Sequence, residues 1–85
     1  MKELFKTYEE AKETANAIDT AWGNDPENEA LENAFDEAYK AEYNAFTALV
    51  AGIVEITNGA IDKKTAATMI KSRYNDLKTI INTFA

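Results

Sequence analysis

Apolar residues recur along most of the chain at intervals of three and four, the spacing of a helix that buries one face. In the first segment they are Leu4, Tyr8, Ala11, Ala15, Ile18 and Trp22, spaced 4, 3, 4, 3 and 4. This spacing does not fit a strand, whose pattern repeats every second residue. It predicts a first helix that ends at about Trp22, with Gly23 just beyond it as the cap, since glycine adopts left-handed backbone angles without strain.

Two short segments rich in Gly, Asn and Asp divide the helical pattern into three parts. The first segment contains Asp25, the predicted N-cap of helix 2, and Pro26, its predicted first residue, because proline at that position gives up no helical hydrogen bond. The second contains Asn58 and Gly59, a typical helix stop. The predicted helices 1, 2 and 3 span about residues 2–22, 26–57 and 62–84.

Short connections between helices favour antiparallel neighbours. The sequence therefore predicts an all-α fold with a single helical domain over residues 1–85, an up-down-up antiparallel three-helix bundle with a long central helix. Helix 2, with about 32 residues, would be roughly 48 Å long and longer than either neighbour. Folding back on it, helix 1 is expected to cover about residues 26–46 and helix 3 about residues 35–57.

The second half of helix 2 is more apolar than these neighbours can cover. The candidate residues of an apolar interface lie in this segment: Tyr43, Phe46, Val50, Ile53 and Val54. Two arrangements would bury them, a bend in helix 2 near Gly52 or a second copy of the chain in a homodimer. Both alternatives remain open at this point, and excess apolar surface is typical of an interface.

The net charge of −6 is unevenly distributed along the chain. Residues 1–59 contain four basic and thirteen acidic residues, a net −9, whereas residues 60–85 contain five basic and two acidic residues, a net +3. Phosphate backbones and anionic lipids repel an acidic protein, so direct nucleic-acid or membrane binding is disfavoured. Since the chain has no targeting pattern and no cysteine, we expect a cytoplasmic protein. We expect its partner to be a protein, either a different one or a second copy of the chain.

The composition leaves few groups for chemistry. The absence of histidine and cysteine removes the usual general base, the thiolate nucleophile and the usual zinc and haem ligands. Ser72 is the only serine and has no base to activate it. The carboxylates lack the loop pattern of a calcium site and the Glu-x-x-His pairs of a di-metal bundle. We therefore expect no enzymatic activity, no cofactor and no metal.

A run of carboxylates begins helix 2, and four of them are candidates for an acidic interaction face: Glu29, Glu32, Asp36 and Glu37. Like charges one helical turn apart repel each other by roughly a few tenths of a kcal/mol per pair. One interpretation is a solvated surface that maintains solubility. The other is that carboxylates about 5–6 Å apart imitate the phosphates of a nucleic-acid strand.

Three further residues are candidates for specific roles. Glu42 lies near the apolar seam of helix 2, and the predicted antiparallel alignment places it within about one turn of Arg73. An ion pair between Glu42 and Arg73 would fix the register of helices 2 and 3. Trp22, at the end of helix 1, either closes the end of the bundle or stays exposed as an anchor for a partner.

Two functions agree with these features. The first is a small, non-catalytic protein–protein interaction module, structural or regulatory, that associates with itself through residues 43–54. The alternative is an inhibitor that blocks a nucleic-acid-binding protein by DNA mimicry, of the kind encoded by phages and mobile elements against host defence. Both share small size, acidity and a lack of catalytic groups, so composition alone does not separate them.

Overall fold

The computed structural model describes residues 1–84, and every regular element in that range is a helix. In this part of the chain four helices form: α1 (Lys2–Asn24), α2 (Glu29–Ile56), α3 (Lys63–Ser72) and α4 (Tyr74–Asn82). The all-α class predicted from the sequence is therefore confirmed. A three-helix bundle is not found, because the segment predicted as helix 3 forms two helices.

α2 begins later than the sequence pattern predicts. Asp25 and Pro26 lie in the turn, and Asn28 is the N-cap. Its Oδ1 accepts hydrogen bonds from the backbone N–H groups of Ala30 at 3.0 Å and Leu31 at 3.3 Å. The Asp25 carboxylate instead accepts a hydrogen bond from the Asn28 amide at 3.2 Å. The predicted cap at Asp25 is wrong. Residue type alone could not distinguish Asp25 from Asn28 as the N-cap, because Asp and Asn cap helices about equally well.

α1 and α2 form a long antiparallel hairpin. At the turn end, the ring centroids of Trp22 and Phe35 are 5.4 Å apart. Nearer the other end, those of Tyr8 and Phe46 are 6.1 Å apart. The first turns of α1 therefore lie beside the second half of α2 and do not stop near residue 46 as predicted. Because α2 starts only at Glu29, each residue of α1 faces a position further along α2 than expected.

Gly52 lies where α1 and α2 approach each other closely. The side chains of Met1 and Leu4 fill the space that a Cβ atom at this position would need. α2 continues through Gly52 without a break. The glycine therefore serves close packing of the two helices, and the α1 side chains reach a segment that the sequence pattern left uncovered.

The chain reverses its direction at Arg73, inside the segment predicted as one helix over residues 62–84. Arg73 has φ −140° and ψ 47°, which lies outside the helical region. α3 runs back along α2 as far as Phe46, whose ring lies beneath the Lys71 ammonium. α4 then returns along α1, starting with Tyr74 beside Tyr8. The prediction of a continuous helix 3 that covers α2 from residue 35 is wrong.

The hydrophobic core gives the physical reason for this reversal. The largest fully buried side chains belong to α2 and α4: Leu49, Ile53, Leu77 and Ile81. A straight continuation of α3 would carry Leu77 and Ile81 past the apolar half of α2 towards its acidic half. The reversal returns both side chains to the apolar half, where burial stabilises the fold by roughly 1.5–3 kcal/mol for each.

The apolar segment that was expected to need a bend or a second copy is largely internal. Val50 is 8% exposed and Ile53 is completely buried. Phe46 and Val54 are half-buried, and only Tyr43 among the five candidates is exposed. α1, α3 and α4 together cover most of the apolar surface that was expected to be exposed, and Tyr43 is the candidate left uncovered. Less of this segment is therefore available to a second copy than the sequence pattern suggests.

The number of helices that pack side by side differs between the two ends of the molecule, which measures 46 × 20 × 18 Å. The end that holds the fully buried side chains contains segments of all four helices. The other end consists of the α1–α2 hairpin alone, where Ile18, Trp22, Leu31 and Phe35 are only half-buried. The boundary between the two parts lies at the reversal, and the candidate site lies beside it.

Candidate functional site

An open groove of about 260 Å³ lies where α3 ends and leaves α2 uncovered. α1 contributes one lining residue, α2 four and α3 one: Tyr8, Tyr39, Glu42, Tyr43, Phe46 and Lys71. We call this site the aromatic groove. Four of its six residues are aromatic, and the other two carry opposite charges. Such a concave surface with few polar groups is typical of binding sites.

Two tyrosines form the outer wall of the aromatic groove. Tyr39 is 59% exposed and Tyr43 is 63% exposed, and they lie one helical turn apart on the same side of α2. The predicted helix 3 extends back along α2 to about residue 35, whereas α3 ends at Ser72, beside Phe46. Two large aromatic side chains therefore face solvent, although helical spacing alone favours burial.

Tyr8 and Phe46 form the inner part of the aromatic groove. Tyr8 is buried, and its ring also packs against Tyr74 of α4 at 5.9 Å between centroids. Burial raises the pKa of the Tyr8 hydroxyl, and the nearby negative charge of Glu42 raises it further. The groove thus combines a fixed inner surface, anchored in the core, with exposed outer rings.

Lys71 places a cation against an aromatic wall of the groove. Its Nζ lies 5.6 Å from the centroid of the Phe46 ring, within the range of a cation–π interaction. The Lys71 side chain is exposed. The groove therefore already contacts one positive charge supplied by the chain itself.

The predicted ion pair between Glu42 and Arg73 does not form. Arg73 Nε instead lies 3.4 Å from Asp76 Oδ2, and both side chains are more than 60% exposed. Because Arg73 lies at the chain reversal, it approaches the first turn of α4 and not α2. Within residues 1–84, Glu42 has no ion pair or hydrogen-bonding partner, although it is half-buried at the groove.

The acidic residues proposed from the sequence are all exposed: Glu29, Glu32, Asp36 and Glu37. None of them forms an ion pair within the described part of the chain. Glu32 and Asp36 continue the line of Tyr39 and Tyr43 at spacings of four and three, so these four residues share one side of α2. We call them the acidic–aromatic face. Glu37 is turned about 100° from Asp36 and points away from this face.

Trp22 is half-buried at the turn end of the hairpin. Its Nε1–H donates a hydrogen bond to the carbonyl oxygen of Pro26 at 3.3 Å, and its ring packs on Phe35. These contacts use both the polar and the apolar part of the side chain. They favour the interpretation that Trp22 closes the end of the hairpin over that of an exposed anchor.

A polar cluster that the sequence pattern did not indicate joins α1 to α4. The Tyr74 hydroxyl donates a hydrogen bond to Glu9 Oε2 at 2.8 Å, and Lys78 Nζ lies 3.2 Å from the same oxygen. The Tyr74 hydrogen bond is the main cause that lowers the pKa of Glu9. No sequence signal could have found this cluster, because it depends on the reversal that brings α4 beside α1.

Within residues 1–84, no group of three or more acidic residues is arranged to hold a metal ion. No helix in the same range is long and apolar enough to cross a membrane. The aromatic groove with the acidic–aromatic face combines a concave surface with exposed rings and is the strongest candidate for a functional surface. No family model, no curated protein and no solved structure matches this chain.

Proposed function

We propose that this chain is a small, non-catalytic protein–protein interaction module, structural or regulatory, that binds its partner through the aromatic groove and the acidic–aromatic face. The observation that carries the proposal is the solvent exposure of two tyrosines: Tyr39 is 59% exposed and Tyr43 is 63% exposed. A cytoplasmic location remains part of the proposal on the basis of the sequence.

The composition of the surface supports a protein partner. Tyrosine is enriched among the residues that dominate binding energy at interfaces, where a few buried aromatic side chains are surrounded by polar residues. Tyr39 and Tyr43 would form such a centre, with Glu32 and Asp36 at the rim. Tyrosine also loses little conformational entropy on binding, since it has only two side-chain torsions.

Charge favours a different protein over a second copy. In a two-fold symmetric contact, the same patch of both copies meets itself. Both copies would bring the carboxylates of Glu32 and Asp36 to the contact, and two patches of the same charge sign oppose association. Val50 and Ile53, which the sequence places in the self-association surface, are internal and contribute nothing to such a contact. The self-association expected from the sequence therefore becomes the weaker form of the proposal.

Affinity capture from the source cells, with the chain as bait, tests this function. We expect at least one partner to bind the wild-type chain and to be lost with the double variant Tyr39→Ala, Tyr43→Ala. Phe84→Ala is a matched control, because Phe84 is also an exposed aromatic residue but lies outside the groove. A partner retained by the double variant, or no partner on the wild type, would contradict the proposal.

DNA mimicry is a second candidate function, and the exposure of the unpaired carboxylates favours it. Glu29, Glu32 and Asp36 lie along one side of α2 at about one-turn intervals. Mimicry depends on charge, so replacing the four acidic candidates by Gln or Asn should abolish inhibition of a DNA-binding target. The tyrosine double variant should then still inhibit.

A charge-matched variant controls this experiment. Glu3, Glu10 and Glu13 to Gln, with Asp19 to Asn, removes the same charge from exposed positions of α1. Inhibition that is insensitive to the α2 series and to salt would eliminate mimicry, since screening weakens charge–charge attraction. If the tyrosine double variant loses binding while the α2 charge series retains it, the result would support the interaction module.

A further inference from the structure

We propose that the aromatic groove binds one arginine side chain of a partner protein, an inference that rests on the proposed function and specifies its partner. The guanidinium would lie against the rings of Tyr39, Tyr43 and Phe46 and pair with the carboxylate of Glu42. Lys71 occupies part of this site within the free chain and competes with the incoming cation.

The rings supply the first part of the recognition. The faces of Tyr and Phe rings carry negative electrostatic potential and attract cations within about 6 Å. The groove already shows this attraction, because Lys71 Nζ lies 5.6 Å from the Phe46 centroid. Tyr39 and Tyr43 provide two further rings, and both are exposed enough for a planar group to stack on them.

Glu42 supplies the second part. Its carboxylate lines the groove, and within residues 1–84 it has no ion pair or hydrogen bond. A carboxylate beside aromatic rings fits the guanidinium, which donates two parallel hydrogen bonds to a carboxylate and stacks on rings at the same time. Lysine offers only a compact ammonium group, and neutral side chains lack the charge that would pair with Glu42.

The charge of the surrounding surface selects the same occupant. Glu32 and Asp36 extend the acidic–aromatic face from the groove towards the hairpin end, and both are exposed. A basic partner segment would therefore be attracted along the face as well as at the groove. Binding of an apolar segment would bury these carboxylates and Glu42 without giving them a positive charge or a hydrogen-bond donor in exchange for water.

Lys71 makes the groove partly self-occupied. Its contact with Phe46 covers one of the rings that the arginine would use, and its positive charge repels a second cation. Because Lys71 is exposed, it can move aside at low cost. Removing its charge should therefore strengthen arginine binding, an effect opposite to that of removing a binding residue.

NMR titration of the full chain tests the inference with N-acetyl-arginine methylamide as the probe. The neutral citrulline analogue has nearly the same shape and serves as the control ligand. We expect the arginine probe to shift the ring resonances of Tyr39, Tyr43 and Phe46 with a saturable dependence on concentration. The citrulline analogue should produce markedly smaller shifts.

Three variants sharpen the test. Lys71→Gln should tighten arginine binding about two- to five-fold, whereas Lys64→Gln, which removes the same charge outside the groove, should leave it nearly unchanged. Glu42→Gln should weaken binding about two- to five-fold. Tyr39→Ala with Tyr43→Ala should abolish the shifts at Phe46, and an unchanged circular dichroism spectrum would show that the fold is retained.

Several results would overturn the inference. Equal shifts with citrulline would show an apolar groove without cation selectivity, and Lys71→Gln that binds no better than Lys64→Gln would show that Lys71 does not compete. If the wild-type chain forms dimers that the Arg73→Gln variant does not form, the groove binds Arg73, the chain's only arginine, from a second copy and not from a different protein. The capture experiment remains separate, because a partner lost with the tyrosine variant, without arginine binding, would support the interaction module and eliminate this inference alone.

Discussion

A small cluster of polar and aromatic side chains connects α4 to α1. Glu9 accepts hydrogen bonds from the Tyr74 hydroxyl and from Lys78, while the Tyr74 ring contacts Phe5 and Tyr8. This cluster joins α1 to α4, whereas the Glu42–Arg73 pair predicted from the sequence would have joined helices 2 and 3. Because the Glu9 pKa is lowered in the folded state, the cluster makes stability depend on pH.

We expect the free energy of unfolding to fall as the pH drops below about 4.5, the ordinary pKa of Glu9. A lowered folded pKa contributes stability above the unfolded pKa, and this contribution is lost as the pH falls through the folded value. Urea unfolding between pH 3 and pH 6 measures the loss. Tyr74→Phe keeps the ring but removes the main cause of the shift, so its acid dependence should be shallower.

The same variant has a second expected effect at alkaline pH. Burial, followed by the Glu9 hydrogen bond, raises the pKa of Tyr74 above its ordinary value of 10.0. The stability from this hydroxyl is complete below pH 10 and is lost as the pH rises further. Acid and alkaline profiles that are identical in the wild type and Tyr74→Phe would show that this cluster does not set the pH dependence.

At the scale of elements, the reversal between α3 and α4 decides both the core and the site. It returns Leu77 and Ile81 to the apolar half of α2, where both are fully buried. It also leaves Tyr39 and Tyr43 uncovered. Folding of the core and exposure of the candidate site are therefore two results of the same change of direction at Arg73.

Two alanine substitutions test this arrangement. Leu77→Ala is expected to lower the free energy of unfolding by about 2–5 kcal/mol, since it leaves a cavity among fully buried neighbours. Tyr39→Ala should cost less than about 1 kcal/mol, because most of the ring is exposed. Urea unfolding of both variants gives the comparison. The opposite order would indicate a continuous third helix that covers Tyr39.

The sequence could predict the helices but not this reversal. Spacings of three and four residues predict α1 and α2 because each helix buries one continuous side. No such signal exists at Arg73, since neither Ser72 nor Arg73 is a strong helix breaker and a φ of −140° is accessible to any residue. The packing of Leu77 and Ile81 with Leu49 and Ile53 decides the local conformation.

The candidate site was predictable only in part for the same reason. The acidic residues of α2 could be identified from sequence, because a cluster of carboxylates on a helix is exposed in almost any arrangement. Tyr39 and Tyr43 have helical spacing that usually indicates burial, and their exposure follows from the reversal. The pairing of Arg73 with Asp76 instead of Glu42 depends on it as well.

At the scale of the whole molecule, stability should be unequal along the 46 Å length. The four-helix end contains the fully buried side chains Leu49, Ile53, Leu77 and Ile81. The hairpin end has only half-buried large side chains such as Trp22 and Phe35. Regions with fewer buried apolar contacts open locally at a lower free energy than the core.

Hydrogen exchange measures this difference directly. Backbone amides of α2 near Leu49 and Ile53 should exchange only on global unfolding, whereas those near Phe35 should exchange at least about ten-fold faster, a difference of roughly 1.4 kcal/mol in opening free energy. Leu77→Ala should accelerate the exchange of the amides near Leu49 and Ile53 far more than that of the amides near Phe35. Uniform protection along α2 would show that the hairpin end is as stable as the core.

The separation of the candidate site from the fully buried residues also affects how this protein can evolve. A substitution at Glu32, Asp36, Tyr39 or Tyr43 changes the surface offered to a partner but removes little buried area. Most mutations that alter recognition in this part of α2 therefore avoid the large loss of stability that eliminates variants in a core. Under the proposed function, the uncovered hairpin would allow the chain to acquire a new partner while the four-helix end maintains the fold.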